Sequence, residues 1–437
     1  MNRLTIVALG AALVVLLGLA HIPGNRRNVV VDQSLRRRLT RSLDPKTVVV
    51  KTDAVDEEPS MPSGDIKVVG DEVAVQAKPA TENQPLSKRK FVYYQSSKWE
   101  LSWLNRVDEW AAKKKICPVL MHDHSEYVHD FLNLTCTSRY HKPYDNWCVI
   151  DDEYHPLWYN TANRQKFELS WVNPMPYDAR IDPPKPVVPG KEHEHIVSKF
   201  VYLDETTGER YEEYIEPLVS HLRFPLSHCI KSHPDEEEFK HHFTTFRGWI
   251  IPPPPGVRRD KTIYFDAGAS SWDKGPGGPS LKYFYKMWKR HDLEFDEIYA
   301  YEMATTKEAF YHSLPGNVKD RTHYQQCAIS SSPTDDSDLH PFLPAVIQRT
   351  TSPNDYVIFK LDIDSPDVED GSILSILEDP ASSNIDELFW EHHIRGNYLM
   401  KEWSAGQNAQ LADVSLRESY ELFLRLRQNG IRAHSWI

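Results

Sequence analysis

The C-terminal part of the chain alternates between short apolar runs and segments with apolar residues at helical spacing. Two predicted strands, His323 to Ile329 and Ile431 to Trp436, mix polar and apolar residues, whereas the apolar runs, rich in β-branched and aromatic side chains, are Thr262 to Phe265, Ile298 to Tyr301, Tyr356 to Leu361 and Glu387 to Trp390. Such runs are typical of buried parallel strands. Ser280 to Arg290 and Ser415 to Gln428 are predicted helices, and the second begins at a capping box. Strands that alternate with helices predict an α/β domain over residues 256–437, with a doubly wound, mostly parallel sheet.

The region upstream, residues 91–255, combines helical and strand patterns. Apolar residues at helical spacing predict an amphipathic helix from Trp99 to about Lys115. Lys199 to Tyr214 is predicted to form a hairpin that turns at Thr206-Thr207-Gly208. Successive prolines in residues 251–256 (IPPPPG) disfavour helix and impose extended backbone, so they mark a domain boundary. We therefore expect a mixed α/β accessory region before the C-terminal domain.

A long apolar run lies near the start of the chain. Leu4 to Ala20 carries no charge, and about 17–25 such residues span a bilayer, so residues 1–24 are predicted to form a transmembrane signal anchor. Three arrangements fit this run: an uncleaved anchor with a lumenal domain, a signal peptide with a cleavage site at Gly18-Leu19-Ala20, or an anchor facing the cytosol. The arginines that follow the run favour the cytosolic arrangement. The glycosylation sequon Asn133-Leu134-Thr135 favours a lumenal domain.

Residues 25–90 have the composition of an unfolded segment. They are poor in aromatic side chains and rich in Asp, Glu, Pro, Ser and Lys. Such a segment cannot bury enough apolar surface to offset the entropy lost on ordering, which predicts a disordered stem. Anchor, stem and folded domain together resemble the layout of single-pass Golgi proteins. That resemblance implies a secretory-pathway membrane with the folded domain in the lumen.

Charge, cysteine and histidine content narrow the classes of function. A formal net charge of −12 disfavours a nucleic-acid-binding protein, because neutralising phosphates needs an excess of Lys and Arg. The five cysteines form no C-x-x-C pair, and the four in the middle of the chain are compatible with two disulfides or with free thiols. Histidines cluster in the accessory region, as at His122 and His124, but without further ligands at a recognisable spacing. No metal site is therefore predicted.

Acidic residues follow the first two predicted strands of the C-terminal domain. Asp266 ends the first strand, where a carboxylate would repel a pyrophosphate, and the G-x-G-x-x-G spacing of a dinucleotide loop does not occur there. Glu302 ends the second strand, where a carboxylate can accept hydrogen bonds from ribose hydroxyls. A ligand that carries both a cationic group and a ribose suits this pair. S-adenosylmethionine is such a ligand.

Four motifs, taken in order, make this domain resemble class I methyltransferases. DAGAS (266–270) resembles their first cofactor motif, IYAYE (298–302) their second, acidic motif, and QCAISS (326–331) the segment that lines the adenine. FKLDID (359–364) is similar to the strand end K-x-D-x-E-G-x-E of the FkbM group of methyltransferases. The resemblance implies a Rossmann-like methyltransferase fold with S-adenosylmethionine as its cofactor. It departs from the FkbM pattern at Asp364 and Asp367, which replace Glu, and at Ser365, which replaces Gly.

On this basis individual residues receive predicted roles. The expected cofactor contacts are Asp266, Gly268, Ser270, Glu302 and Ala328. The expected catalytic residues are Asp362, Asp364 and His392, and the expected acceptor contacts are Glu369, Glu391 and His393. One of these groups would act as general base toward an acceptor hydroxyl. The anchored layout and the FkbM resemblance together suggest a glycan or another small polyhydroxyl molecule as that acceptor.

Two other functions fit parts of the sequence. The motif Asp362-Ile363-Asp364 is a D-x-D, which in lumenal glycosyltransferases binds a divalent metal bridging the diphosphate of a sugar nucleotide. That interpretation leaves DAGAS and IYAYE unexplained. The long insertion after DAGAS is also compatible with an anchored binding protein that keeps the fold without catalysis.

Overall fold

The computed structural model describes residues 89–112, 119–136, 189–219, 250–251, 260–272, 280–289, 293–380, 383–394 and 414–436. The predicted anchor, nearly all of the predicted stem and the prolines after Ile251 lie outside these residues. So do Cys117, Cys148 and Cys229, whereas Cys327 is a free, half-buried thiol. Within the described part of the chain, no helix combines the length and the apolar character needed to cross a membrane.

A small antiparallel sheet lies in the N-terminal part of the described chain. Its strands are β1 (Arg89–Gln95), β2 (Ser198–Asp204) and β3 (Arg210–Ile215), with β2 in the middle. β2 and β3 form the predicted hairpin, and Gly208 adopts a φ of 76° in its turn. β1 is not among the predicted strands, and it begins within the last two residues of the predicted stem.

The central sheet of the C-terminal domain has six parallel strands. They are β4 (Thr262–Ala267), β5 (Glu297–Tyr301), β6 (Thr322–Gln325), β7 (Tyr356–Leu361), β8 (Glu387–Trp390) and β9 (Arg432–Ser435). Their spatial order is β6-β5-β4-β7-β8-β9, so the order reverses between β4 and β7. The predicted parallel α/β sheet is confirmed. β6 ends before the predicted strand His323 to Ile329 does, because the chain leaves the sheet after Gln325.

Helices precede and connect these strands. The described α-helices are α1 (Lys98–Leu104), α2 (Val107–Ala112), α3 (Ser125–Cys136), α4 (Ser280–Lys289), α5 (Lys307–Ser313), α6 (Gly316–Lys319), α7 (Leu343–Thr350), α8 (Pro366–Glu378) and α9 (Leu416–Gln428). A π-helical turn (Val119–Asp123) and 3-10 turns (Lys191–His193 and Pro333–Asp335) complete the set. The predicted capping box of α9 is present, because the side chains of Ser415 and Glu418 each accept a hydrogen bond from the other residue's backbone amide.

The predicted helix from Trp99 is interrupted. α1 ends at Leu104, and Asn105 and Arg106 separate it from α2. Trp103 of α1 and Trp110 of α2 remain fully buried, with ring centroids 4.6 Å apart. The apolar spacing therefore identified the buried face correctly, although the backbone does not continue as one helix.

The core of the domain lies around the two central strands. Every residue of β4 and β7 is buried, as expected for strands that are covered on both faces. Aromatic rings fill the adjoining layer: Phe284 of α4 packs against Phe389 of β8 and Trp436, at centroid distances of 4.6 and 4.8 Å. This rigid centre fixes the position of the loops that follow each strand.

A buried ion network joins the accessory region to the C-terminal domain. It consists of Glu100, Glu213, Glu216, Glu387, Arg427, Arg432 and His434, all of which are buried. Arg432 Nε lies 2.7 Å from Glu387, and the Nη2 atom of the same guanidinium donates to the carbonyl oxygen of Tyr214 in β3. Arg427 donates to the carbonyl oxygen of Glu216 at 2.9 Å and lies 3.5 Å from Glu100. The small sheet is thus bonded directly to α9 and β9.

Candidate functional site

The carboxyl ends of β4, β5, β7 and β8 meet at the edge of the sheet where the strand order reverses. In open α/β sheets, the crevice at such a switch point is where ligands bind. Most of the residues predicted from the sequence as functional follow these four strands directly. The strand order therefore brings together segments that are far apart in the chain.

The turn after β4 requires glycine at position 268. Gly268 has a φ of 86°, and a Cβ atom at this position would overlap the carbonyl oxygen of Asp362. The amides of Gly268 and Ala269 both donate to the carbonyl oxygen of Tyr301, at 2.9 and 3.2 Å. Left-handed backbone and close backbone approach are the two conditions under which glycine is needed. This turn consequently packs closely against the ends of β5 and β7.

Lys360 lies beneath this turn and ties the strand ends together. Its Nζ atom lies 3.3 Å from Asp266 and 3.2 Å from Asp362, and it donates to the carbonyl oxygens of Ala267 and Gly268. Burial would lower the pKa of this lysine, but the two carboxylates raise it above its ordinary value. Lys360 therefore remains charged, and its ammonium is held by protein groups.

Asp266 is placed differently from its predicted role. Its side chain is completely buried, 3.3 Å from Lys360, and accepts a hydrogen bond from Ser280 at the start of α4. Burial raises the pKa of the Asp266 carboxyl, and the charge of Lys360 opposes that rise. Asp266 was expected to face the cofactor, whereas in the structure it supports the turn from inside the sheet.

Asp362 and Glu369 shape the loop after β7. Asp362 accepts a hydrogen bond from the indole of Trp436 at 3.0 Å. Burial would raise the pKa of Asp362, but the charge of Lys360 and a hydrogen bond with Glu391 bring it below its ordinary value. Glu369 is buried, accepts from the amide of Ile363 at 3.1 Å, and has a pKa raised well above the ordinary value by burial. Glu369, predicted to contact the acceptor, instead holds the backbone of this loop.

The loops after β7 and β8 bring Asp364, Glu391 and His393 together. One ligand-capable atom of each lies within 4.8 Å of the others. Glu391 and His393 are buried, whereas Asp364 is exposed and has a φ of 54°. Although part of its surface is exposed, the surrounding protein removes water from the Asp364 carboxyl and so raises its pKa, and the charge of Asp362 raises it further. We refer to Asp362, Asp364, Glu391 and His393 as the edge cluster.

His392 does not join the edge cluster. Its ring stacks on Trp390 with centroids 3.9 Å apart, and its Nδ1 atom lies 2.7 Å from the hydroxyl of Ser419 in α9. Its Nε2 atom lies 3.7 Å from Asp370 of α8. The predicted catalytic histidine thus faces the helices that cover the sheet, while His393 faces the strand ends.

The remaining predicted cofactor contacts line the β5 and β6 side of the crevice. Glu302 is half-buried and accepts from the amide of Ala304 at 2.7 Å. Ser270 and Ala328 are also half-buried, and the carbonyl oxygen of Ser270 accepts from the hydroxyl of Thr305 at 3.1 Å. These three residues retain exposed surface at the rim of the site, as a ligand contact requires.

The charges at this edge favour a cationic ligand. Asp362, Asp364 and Glu391 are carboxylates at neighbouring strand ends. Among the described residues, the buried lysine near them is Lys360, and its charge is shared between Asp362 and Asp266. Such an arrangement can attract an amine, a sulfonium or a metal ion, and its carboxylates can accept a proton.

Sequence reasoning did not assign a function to Lys360, and it placed Glu391 and His393 among the acceptor contacts without grouping them with Asp364. The K-x-D part of FKLDID could have indicated the role of Lys360, because alternate residues of a strand end, here Lys360 and Asp362, point to the same side. The same alternation separates His392 from Glu391 and His393. No protein-family model matches this chain, and no curated protein or solved structure matches it either.

Proposed function

We propose that this protein is an S-adenosylmethionine-dependent methyltransferase that acts on a hydroxyl acceptor, with a Rossmann-like methyltransferase fold. The observation that carries the proposal is the excess of carboxylates among the described residues around the switch point, where Lys360 is already held by Asp266 and Asp362. A nucleotide phosphate would need free cations there, whereas a sulfonium and an amine benefit from the carboxylates. The FkbM resemblance of FKLDID supports the same choice.

In this proposal the cofactor lies over the turn after β4. The backbone of Gly268 to Ser270 contacts its methionine part, because glycine allows a ligand to approach the chain closely. Glu302 accepts hydrogen bonds from the ribose hydroxyls, and Ala328 lies against the adenine. Asp266 acts indirectly, through Lys360, by holding the turn in place.

The acceptor would lie beside the edge cluster. Methyl transfer is an in-line displacement, so the protein mainly positions the acceptor oxygen and the methyl group. The methyl carbon forms a bond to the acceptor oxygen as its bond to sulfur breaks, and sulfur keeps the electron pair as a neutral thioether. The hydroxyl proton passes to a carboxylate, for which Asp364 is the exposed candidate.

Calorimetric titration with S-adenosylhomocysteine tests the cofactor assignment. Glu302→Ala should weaken binding about tenfold or more, since a hydrogen bond to a charged group contributes about 1.5–3 kcal/mol. Glu308→Ala removes an exposed carboxylate from α5 and serves as the matched control, with unchanged affinity expected. Absence of binding by the unmodified protein, or equal affinity of both variants, would contradict the proposal.

A metal-dependent glycosyltransferase is the second candidate, favoured by one observation. Asp364 of the D-x-D motif lies within 4.8 Å of two further potential metal ligands. Titration with a uridine or guanosine diphosphate sugar in the presence of Mn²⁺ distinguishes the two functions. Tight binding of the sugar nucleotide without binding of S-adenosylhomocysteine would select this candidate.

We further propose that the acceptor is a glycan or another small polyhydroxyl molecule, and that the protein is a single-pass protein of a secretory-pathway membrane with its folded domain in the lumen. The apolar run at Leu4 to Ala20 and the stem composition support the second part. Radioactive methyl transfer to a glycan mixture tests the acceptor class. Protease protection in sealed microsomes tests the orientation, since a cytosolic domain would be digested.

A further inference from the structure

The edge cluster contains a mixed set of metal-binding groups. Asp364 supplies a carboxylate from the loop after β7, and Glu391 and His393 supply a carboxylate and an imidazole from the loop after β8. Because β7 and β8 are adjacent and parallel, both loops leave the same edge of the sheet. The amide of Glu391 also donates to the carbonyl oxygen of Leu361, which fixes the two strand ends relative to each other.

The spacing of these groups suits a single ion. Their ligand atoms lie within 4.8 Å of one another. Ligands about 2.1 Å from a shared metal ion stand at most about 4.2 Å apart, so closing the set requires only a small side-chain movement. Asp364 is exposed and free to make that movement, while the buried Glu391 and His393 are held in position by packing.

The electrostatic surroundings also favour a cation. Asp362 adjoins the set and hydrogen-bonds Glu391, so these two carboxyl groups share a proton that a bound cation would replace. The ammonium of Lys360 lies near Asp362, but it is shared with Asp266 and three backbone carbonyl groups. Of these carboxylates Glu391 is buried, and a buried charge is stabilised when it is paired or coordinates a metal.

We propose that Asp364, Glu391 and His393 bind one divalent transition-metal ion. Imidazole suits ions such as Zn²⁺ and Fe²⁺, and carboxylate suits Mn²⁺, so a mixed set favours this class over Mg²⁺ and Ca²⁺, which prefer oxygen ligands alone. Three protein ligands leave coordination positions open, as in catalytic metal sites. The exposed side of Asp364 gives an outside oxygen access to those positions.

A role for the ion in the reaction follows, and this role rests on the proposed methyl transfer. An acceptor hydroxyl bound at the open position would become more acidic, because a divalent ion stabilises the oxygen anion. One oxygen of Asp364 would hold the ion, and the other would remain available to take the hydroxyl proton. The ion would also place that oxygen next to the cofactor side of the crevice. Metal binding itself does not depend on this role.

The site is tested by titrating the full chain with Mn²⁺ and measuring the unbound ion by electron paramagnetic resonance. Zn²⁺ is then added as a competitor. We expect one Mn²⁺ per chain, displaced by Zn²⁺. Asp364→Asn should weaken binding at least tenfold, and His393→Gln should have a similar effect. The matched control is Asp367→Asn, which alters an exposed carboxylate in the first turn of α8, three positions after Asp364, and should leave affinity unchanged. Because Asp364 is exposed, its variant is expected to fold normally, and a thermal melt checks this.

The possible outcomes separate this proposal from the proposed function. If neither ion binds, or if Asp364→Asn and Asp367→Asn bind Mn²⁺ equally well, the metal site is wrong. Binding of S-adenosylhomocysteine in the presence of a metal chelator would then still support the proposed methyltransferase function. Conversely, stoichiometric Mn²⁺ binding that Asp364→Asn weakens supports the metal site even if no S-adenosylhomocysteine binds.

Discussion

Two clusters of carboxylates and histidines in this molecule differ in how their charges are balanced. In the buried ion network, each of four glutamates has a cationic partner within 3.6 Å, supplied by Arg427, Arg432 and His434. In the edge cluster, the described residues place one ammonium close to the carboxylates, that of Lys360, and Asp266 shares it. The network is closed to solvent, while the edge cluster opens through Asp364.

The difference teaches how to separate a structural cluster from a functional one. A buried group of charges that pair internally can hold two parts of a protein together, and removing one member is costly. A cluster with excess charge and an exposed side can bind something of the opposite charge. The network therefore attaches the accessory sheet, and we propose that the edge cluster binds a ligand.

The largest expected effect comes from breaking the network. Arg432→Ala should lower the free energy of unfolding by about 3–5 kcal/mol, because Glu387 and Glu213 would remain buried without their partner. Urea denaturation measures the change. Arg321→Ala, which removes a partly exposed partner of Glu294, should cost about 1 kcal/mol or less. Equal, small losses in the two variants would show that the network does not stabilise the fold.

A smaller loss of stability is expected from a substitution in the turn after β4. Gly268→Ala should cost about 1–3 kcal/mol through its positive φ and through overlap with the carbonyl oxygen of Asp362. Gly208→Ala offers a matched control, because Gly208 has a similar φ of 76° but no neighbouring atom within 4 Å of an added Cβ. Only the first variant should also lose affinity for S-adenosylhomocysteine. If the two variants lose equal stability and keep equal affinity, the turn after β4 is not part of the ligand site.

Much of the fold follows from local patterns in the sequence. The apolar runs predicted β4, β5, β7 and β8, because a strand covered on both faces needs apolar residues. β6 and β9, which were also predicted as strands, contain polar residues as well. The capping box at Ser415 likewise marked the start of α9. β1 was missed, since Arg89 to Gln95 follows directly on the polar stem and its partner strand lies more than a hundred residues away.

The site could be predicted only in part, because its geometry depends on which strands are neighbours. Asp266 faces Lys360 across the β4 and β7 register, and no local pattern gives that pairing. The buried position of Glu369 depends on how α8 packs, which also lies beyond the sequence pattern. The placement of His392 and His393 on opposite sides could have been predicted from the sequence, since side chains alternate along an extended segment.

Hydrogen–deuterium exchange of the full chain, with and without saturating S-adenosylhomocysteine, tests most directly whether the strand edge is the ligand site. The account predicts slower exchange in peptides that contain Gly268 to Ser270 and Glu302 to Thr305, because a bound ligand would shield these amides. Peptides from the buried ion network around Arg427 to His434 should exchange at unchanged rates. Unchanged exchange at both strand ends, or protection confined to the network, would contradict the assignment.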